Sequence, residues 1–527
     1  MMPARSPIKL WILSLTPLVV MAAISCAPEY RPWFLGGTGG QSASGAGVFA
    51  GPLGNAFTEV LIQGRTFVQG QVVTTVAYAV SDMTRTPLGI DFNNDGRLDP
   101  VVGYQQGNLG VAQILLSYED TSTSGVHYAS VTIDGGENEW NNLQDLAVGD
   151  IDNDGALDVV LATSDGIIYL HHPSSDTHTH IASEWGQDIG ELEIIEGTTS
   201  TLSPEELEAL VFSVVDESVN PDYYIPVYEA VYTAVDIADF DNDGHNDIIA
   251  TRQQRIELRP LPTIPVDPIV LESGSLQLLL NPGNAQDGQY WTGFPIGLHE
   301  RHDILDRLGA SDLRPVDLDG DGDLDIITVA SDDQNVQIAW FENRGGPGVI
   351  DPTTPWTQHR IGSVLGASRI DVADVTGDNR PDVIATSPTQ MQIVLFVHPE
   401  ADPDRDYDWY SSAIVTFDSY EPRVIQALDV DNDGVLEITV GGATGEVRYF
   451  EPPTVPTNTW SGTVVLTFDP AGVVGQLGYG DLDGDGDADL VAVVGTAAEE
   501  GSDGGSEGLG DVDPTGDRVT WIRNGLR

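Results

Sequence analysis

Seven short segments of the chain place acids at alternate positions of the pattern D-x-[DNT]-x-D-[GN]-x-x-[DE]. Taking positions 1, 3, 5, 7 and 9, they are Asp91, Asn93, Asp95, Arg97 and Asp99; Asp150, Asp152, Asp154, Ala156 and Asp158; Asp239, Asp241, Asp243, His245 and Asp247; Asp317, Asp319, Asp321, Asp323 and Asp325; Asp374, Thr376, Asp378, Arg380 and Asp382; Asp429, Asp431, Asp433, Val435 and Glu437; and Asp481, Asp483, Asp485, Asp487 and Asp489. Oxygen donors at positions 1, 3, 5 and 9 can fold around one hard cation, and glycine at position 6 permits the sharp turn this needs. The variety at position 7 fits a ligand supplied by the main-chain carbonyl. Position 6 is glycine in every copy except the fifth, where Asn379 is the next-best left-handed residue. An all-oxygen donor set favours calcium over zinc or copper, about one ion per loop. An EF-hand is excluded, because its twelfth position requires a bidentate Glu and Thr328 stands there in the fourth copy. The fourth and seventh copies are the richest in carboxylates; the first, with Asn93, and the fifth, with Thr376, are the weakest. Without metal the clustered carboxylates repel one another, so ion binding is expected to contribute folding energy.

These loops need elements to hold them. Each copy runs into a short β-branched stretch such as Ile326-Ile327 or Val383-Ile384, and a second apolar strand follows, such as Val336–Phe341 or Met391–Phe396. Several units then open a further strand with a tryptophan: Trp291, Trp356, Trp409 and Trp460. An apolar strand also precedes each loop. Four strands per unit, repeated without helical periodicity, predict an all-β seven-bladed β-propeller with one calcium loop per blade. The last unit ends at its third strand, Val519–Ile522. A strand near Arg65–Val73 is therefore expected to complete the last blade and cover its exposed edge.

The segments Gly149–Gly155 and Gly480–Gly486 resemble the FG-GAP/VCBS repeats of the integrin alpha-subunit N-terminal propeller, and Ala339-Trp340-Phe341-Glu342-Asn343 resembles a strand of the bacterial versions. The resemblance covers residues 57–527, although the Phe-Gly pairs before the loops are mostly missing; Val148-Gly149 and Leu477-Gly478 are what remains. It implies a calcium-stabilised propeller engaged in extracellular adhesion or ligand binding. The family also occurs beside or within carbohydrate-active enzymes, so the fold does not settle the function.

The N-terminal segment has Arg5 and Lys9, an apolar run from Leu10 to Ile24, and then Ser25-Cys26, the order of a secretory signal. Ala23-Ile24-Ser25-Cys26 resembles the bacterial lipoprotein box, with Ala23 where Leu is usual. That resemblance implies a signal peptide over 1–25, a lipid-anchored Cys26 exposed to the periplasm or cell surface, a Gly/Ser-rich tether over 26–56, and the propeller over 57–527. The 22 basic side chains against 82 acidic ones, a formal charge of −60, oppose nucleic-acid binding. A single Cys excludes an internal disulfide. The only lysine is Lys9, which removes Schiff-base and P-loop chemistry from the body of the chain.

If the acidic loops share one rim, the long insertions Arg252–Ser275 and Thr496–Asp517 and the excursion His178–Tyr232 fall on the opposite face. Within the excursion, Ser203-Pro204-Glu205-Glu206 reads as a helix-capping box. Trp185, Tyr223, Tyr224, Tyr228, Arg252, Arg255 and Arg259 are candidates there for contacting a glycan or protein ligand. His171, His172, His178 and His180 could hold a softer metal or serve as a base, but read as a solvated loop. No catalytic motif stands out. A monomeric binding module is the expected function; the alternatives are a calcium-dependent polysaccharide lyase or hydrolase on the same scaffold, and a structural envelope protein.

Overall fold

The computed structural model describes residues 58–63, 75–80, 91–92, 97–106, 109–119, 126–133, 140–141, 143–172, 193–194, 224–260, 269–283, 291–297, 310–330, 337–343, 356–400, 409–468, 472–482, 488–496 and 513–524. Cys26, the tether, Trp185, Tyr223, His178, His180 and the capping box lie outside them.

Among the described residues the strands form seven antiparallel sheets. The first comprises Thr75–Val80, Val101–Gln106, Leu109–Glu119 and Val126–Ile133, with Trp140–Asn141 pairing to its third strand. The second comprises Asp145–Gly149, Asp158–Ala162, Ile167–Leu170 and Glu193–Ile194, and the third Tyr224–Ala238, Asp247–Pro260, Ile269–Leu280 and Thr292–Gly297. The fourth comprises Ala310–Val316, Asp325–Ala330, Gln337–Glu342 and Thr357–Ser363, and the fifth Arg369–Ala373, Asp382–Ser387, Gln392–Val397 and Tyr410–Thr416. The sixth comprises Pro422–Leu428, Glu437–Gly442, Glu446–Glu451 and Ser461–Thr467. The seventh takes Val473–Gly480, Asp489–Thr496 and Asp513–Arg523 from the C-terminal end, and Thr58–Gln63 from the N-terminal end. The first strand of each sheet lies beside the first strand of the next, and Thr75–Val80 neighbours both the second and the seventh sheets. The ring is therefore closed, and each sheet is a blade of a β-propeller.

Apolar surface between blades holds the ring together. Val160, Ala162 and Tyr169 of the second blade pack with Val235, Ile248 and Leu279 of the third. Leu276 and Leu278 of the third meet Ile326 and Phe341 of the fourth, and Trp340 of the fourth lies in one cluster with Val383 and Phe396 of the fifth. Val491 and Val493 of the last blade join the cluster of the first two. Each buried Val, Leu, Ile or Phe contributes about 1.5–3 kcal/mol of transfer free energy. The repeated tryptophans add a directed link: the amides of Trp356, Trp409 and Trp460 donate to the carbonyls of Ile296, Ile361 and Ile414 in the preceding blade at 3.1, 2.8 and 2.8 Å. All three indoles are buried, so each outermost strand begins tied to its neighbour.

Closure uses a different N-terminal strand from the one the sequence points to. Thr58–Gln63, rather than a strand near Arg65–Val73, pairs antiparallel with Asp513–Arg523, with Val60 opposite Trp521; residues 64–74 lie outside the described set. The Arg252–Ser275 insertion is also not a loop. Arg252 pairs with Ser275 and Leu258 with Ile269, while Tyr224 to Tyr232 run antiparallel along the other side. The fourth strand of that blade pairs only with Leu276–Leu280, so the other three continue past it as a ribbon. Nine ribbon residues, Arg252–Pro260, correspond to roughly 25 Å of extended strand.

Because Thr58–Gln63 closes the ring, its deletion is expected to leave Asp513–Arg523 as an open edge. The variant should melt several degrees below the parent and form higher oligomers on gel filtration. An unchanged melting curve and a monomeric profile would contradict this role.

Candidate metal centre

Each acidic loop joins the first and second strands of its blade, so all seven lie on one rim. Backbone conformation at two loop positions sets their shape. Position 4 is left-handed in every fully described loop (Asn153, Asn242, Gly320, Gly377 and Asn432, φ between 57 and 79°), and so is position 6 (Gly155, Gly244, Gly322, Asn379 and Gly434, φ between 65 and 98°). A Cβ on Gly155, Gly320, Gly322, Gly377 or Gly434 would meet nothing within 4 Å, so the requirement is conformational rather than spatial. The position-6 signal is read from the sequence. The equally regular Asn/Gly column at position 4 is a signal the sequence reading passes over.

Carboxylates then fold the turn by accepting local amides. Position 5 donates to position 3 (Asp154 to Asp152, 3.0 Å; Asp321 to Asp319, 3.0 Å), and position 7 to position 5 (Ala156 to Asp154, 2.8 Å; Val435 to Asp433, 2.8 Å). Position 6 donates to position 1, as Gly155 to Asp150 at 3.0 Å and Gly434 to Asp429 at 2.9 Å. Position 9 is buried. One of its oxygens accepts the position-2 amide: Phe92 to Asp99, Ile151 to Asp158, Phe240 to Asp247, Leu318 to Asp325, Val430 to Glu437 and Leu482 to Asp489, at 2.8–3.1 Å. In the fifth loop the donor is Thr376, one residue later. The other oxygen accepts an amide from the end of the third strand: Ser117, His172, Asn281, Asn343, His398 and Asn524 donate at 2.7–2.9 Å. In the sixth unit the corresponding residue is Pro452, which has no amide hydrogen.

The same residues bridge neighbouring blades. Asn281 Nδ2 donates to the carbonyls of Ile151 and Asn246, Asn343 Nδ2 to those of Phe240 and Leu324, and Asn524 Nδ2 to those of Val430 and Ala488. Each asparagine thus links position 8 of its own loop to position 2 of the loop before it. His398 Nε2 reaches the Leu318 carbonyl in the same way, at 3.1 Å. Position 7, expected to act only through its carbonyl, uses its side chain in three of the described loops: Asp323 accepts from Asn242 Nδ2 at 3.0 Å, His245 contacts Asn153 at 2.6 Å, and Arg380 donates to Asp378.

Several loops offer a fit for a cation. Ligand atoms within 4.8 Å of one another are brought together by Asp150, Asp152 and Asp154; by Asp239, Asp241 and Asp247; by Asp317, Asp319 and Asp321; and by Asp429, Asp431 and Glu437. Among the described residues, the buried Asp150 Oδ1, at position 1, has no hydrogen-bond partner. In the fifth loop Arg380 bonds Asp378, so an internal cation takes an oxygen of the position-5 acid. Asn93, Asp95, Asp483, Asp485 and Asp487 lie outside the described residues.

Burial pushes the Asp247, Asp325 and Glu437 carboxyls up to about 8, and Asp150, Asp241, Asp319 and Asp382 up to about 6. Neighbouring acids add to this, as Asp243 does at Asp241. These groups fit a divalent ion, which would supply the positive charge that the local amides provide only in part.

On the face carrying the ligand-contact candidates, Arg252 is buried and its guanidinium lies 5.8 Å from the Tyr232 ring, so it cannot present itself to a ligand as expected. Arg259 is exposed and paired with Glu257 at 3.0 Å. Tyr224, Tyr228 and Arg255 lie on the ribbon strands. His171 and His172 are buried, 4% and 1% exposed, so they do not belong to a solvated loop.

Residues 317–385, which span the fourth loop and run into the fifth blade, match the FG-GAP-like repeat family. The chain carries an FG-GAP-like repeat. The repeat takes in Asp317 to Asp325, one of the two loops with a carboxylate at all five alternate positions, and the Asn343 bridge. No curated protein matches the sequence. Among solved structures, the Dos1 propeller is similar at 11% identity over 86% of this chain and 93% of that one, with a TM-score of 0.40. An Agrocybe aegerita lectin structure, described for specific recognition of non-reducing terminal N-acetylglucosamine, is similar at 12% identity over 75% and 81%, with a TM-score of 0.38.

Removing the Asn343 bridge by Asn343→Ala leaves the Phe240 and Leu324 carbonyls without their donor. It is expected to destabilise the protein by about 1–3 kcal/mol in urea unfolding, and a change under about 0.5 kcal/mol would contradict the bridge. A second expectation follows from the raised carboxyl pKa values. In chelator the folded chain binds more protons than the unfolded chain between about pH 4 and 8, so stability falls as pH rises through this window. The metal-free protein should therefore melt at a higher temperature at pH 5.5 than at pH 8. A melting temperature that rises with pH in chelator would refute the assignment.

Proposed function

We propose that the protein is a calcium-loaded, membrane-anchored binding module that recognises a glycan or protein ligand outside the cytoplasm. Calcium occupies the acidic rim, where the all-oxygen clusters of the third, fourth and sixth loops and the raised carboxyls favour an oxygen-seeking cation. Cys26 carries the lipid anchor, and the Gly/Ser-rich stretch to residue 56 spaces the ring from the bilayer. The ring acts as a monomer, and its acidity keeps it from nucleic acid.

The observation that carries the binding reading is the ribbon of the third blade. It leaves the ring at the ends of the strands opposite the acidic loop, since Pro260 and Ile269 lie at the strand ends remote from Asp239–Asp247. Nothing in ring closure needs this extension, because the other blades close with second strands of 5–8 residues against its 14. A rigid extension on the ligand side of a scaffold is a place for recognition.

The test is retention of the full chain, in detergent, on immobilised polysaccharides and envelope proteins, in millimolar calcium and in chelator. Calcium-dependent retention on one class is expected. It should be lost when residues 253–274 are replaced by a two-residue turn, with the melting temperature held. Retention that survives removal of the ribbon would refute the ribbon as binding surface, and progressive breakdown of a bound polymer would make the protein an enzyme.

A further inference from the structure

The second loop differs from the others in its donor chemistry. The residue that follows the third strand there is His171; the same register position holds Leu116, Leu280, Glu342, Val397, Glu451 and Arg523 in the other units. Its imidazole is buried and turned into the loop: Nδ1 lies 3.1 Å from Asp152 Oδ2 and 3.3 Å from Asp158 Oδ1, with side-chain exposures of 5%, 1% and 0% for the histidine and the two acids. The Tyr169 hydroxyl is 3.2 Å from the same nitrogen and donates to Asp158 Oδ2 at 3.1 Å.

One imidazole nitrogen carries at most one proton, so the two carboxylates that face it share at best a single bifurcated hydrogen bond, and neither is fully served. A metal ion can serve both. Donor atoms about one transition ion, at bond lengths of 2.0–2.1 Å, stand about 2.9–3.4 Å apart, which is the spacing found here. His171, Asp152 and Asp158 each offer one ligand atom, and these atoms all lie within 4.8 Å of one another. Calcium prefers an all-oxygen shell, whereas one nitrogen and two carboxylates suit zinc, manganese or cobalt.

We propose that the second loop holds a transition-metal ion through His171 Nδ1, Asp152 and Asp158, while the remaining loops keep to oxygen donors. This goes beyond the calcium-dependent binding function and survives if that function fails, because it concerns one loop and is read with metal alone.

The experiment is titration of the full chain with Zn²⁺ in a saturating excess of calcium, followed by metal analysis after gel filtration. One equivalent of zinc is expected to remain with the wild-type protein. His171→Gln should weaken its retention by more than the ~10–100-fold typical of changes around a metal's ligands, and His172→Gln should leave it in place. Because His171→Gln could disturb folding, X-ray absorption of Co²⁺ bound to the wild-type protein gives an independent reading, with a single imidazole nitrogen expected in its shell. No zinc retained in calcium, equal retention by His171→Gln, or a cobalt shell with no imidazole or with several would overturn the proposal.

Discussion

A buried carboxylate at the ninth position of the acidic loops ties the loop to the strands that follow it, and in every unit but the sixth it joins three parts of the blade. Asp325, for example, takes the Leu318 amide from its own loop on one oxygen and the Asn343 amide from the end of the third strand on the other. The loop, the start of the second strand and the end of the third are thereby pinned around one charged group. A carboxylate placed there without full compensation would be expelled or protonated, and burial does raise Asp325 to about 8. Two amides compensate in part, and a divalent ion fits the remainder. The stability of the rim is in this sense an electrostatic problem that geometry has half solved.

The rest of the ring separates charge from packing. Apolar residues fill every interface between successive blades, with Trp340, Phe396, Tyr449 and Phe468 among the fully buried side chains, and the acids of the repeat gather on one rim. The asparagine bridges reconcile the two arrangements. Asn281, Asn343 and Asn524, with His398, bond the third, fourth, seventh and fifth loops each to the one before it. An ion held at one of these loops would be coupled mechanically to the blade interface beside it, because the position-2 carbonyl held by the bridge follows the first ligand of that loop.

Much of this was legible in the sequence because the repeat carries its own register. Alternate acids, the β-branched run after each loop and the spaced tryptophans define seven equivalent units before any strand is placed. What was not legible depends on contacts between units. Asn343 was part of a strand-like segment, but its bond to Phe240, 103 residues away, follows from ring geometry alone. The asparagine at position 4 matters through backbone conformation, which composition at a single column does not display. The ribbon reads in the sequence as an insertion; in the fold, extended pairing across three strands carries polar residues such as Gln253, Gln254 and Ser273. Arg252 is expected on the ligand face and His171 in a solvated loop, whereas a ring contact and a carboxylate pair hold them inside.

The most direct test of the rim as an ion-dependent structure is to count calcium on the full chain by native mass spectrometry while following its thermal unfolding in calcium and in chelator. The loop geometry predicts several bound ions per chain, with a single cooperative melting transition that falls by tens of degrees when they are removed. A chain that binds no calcium at millimolar concentration, or that melts at the same temperature with and without chelator, would contradict the view that the acidic rim is completed by metal.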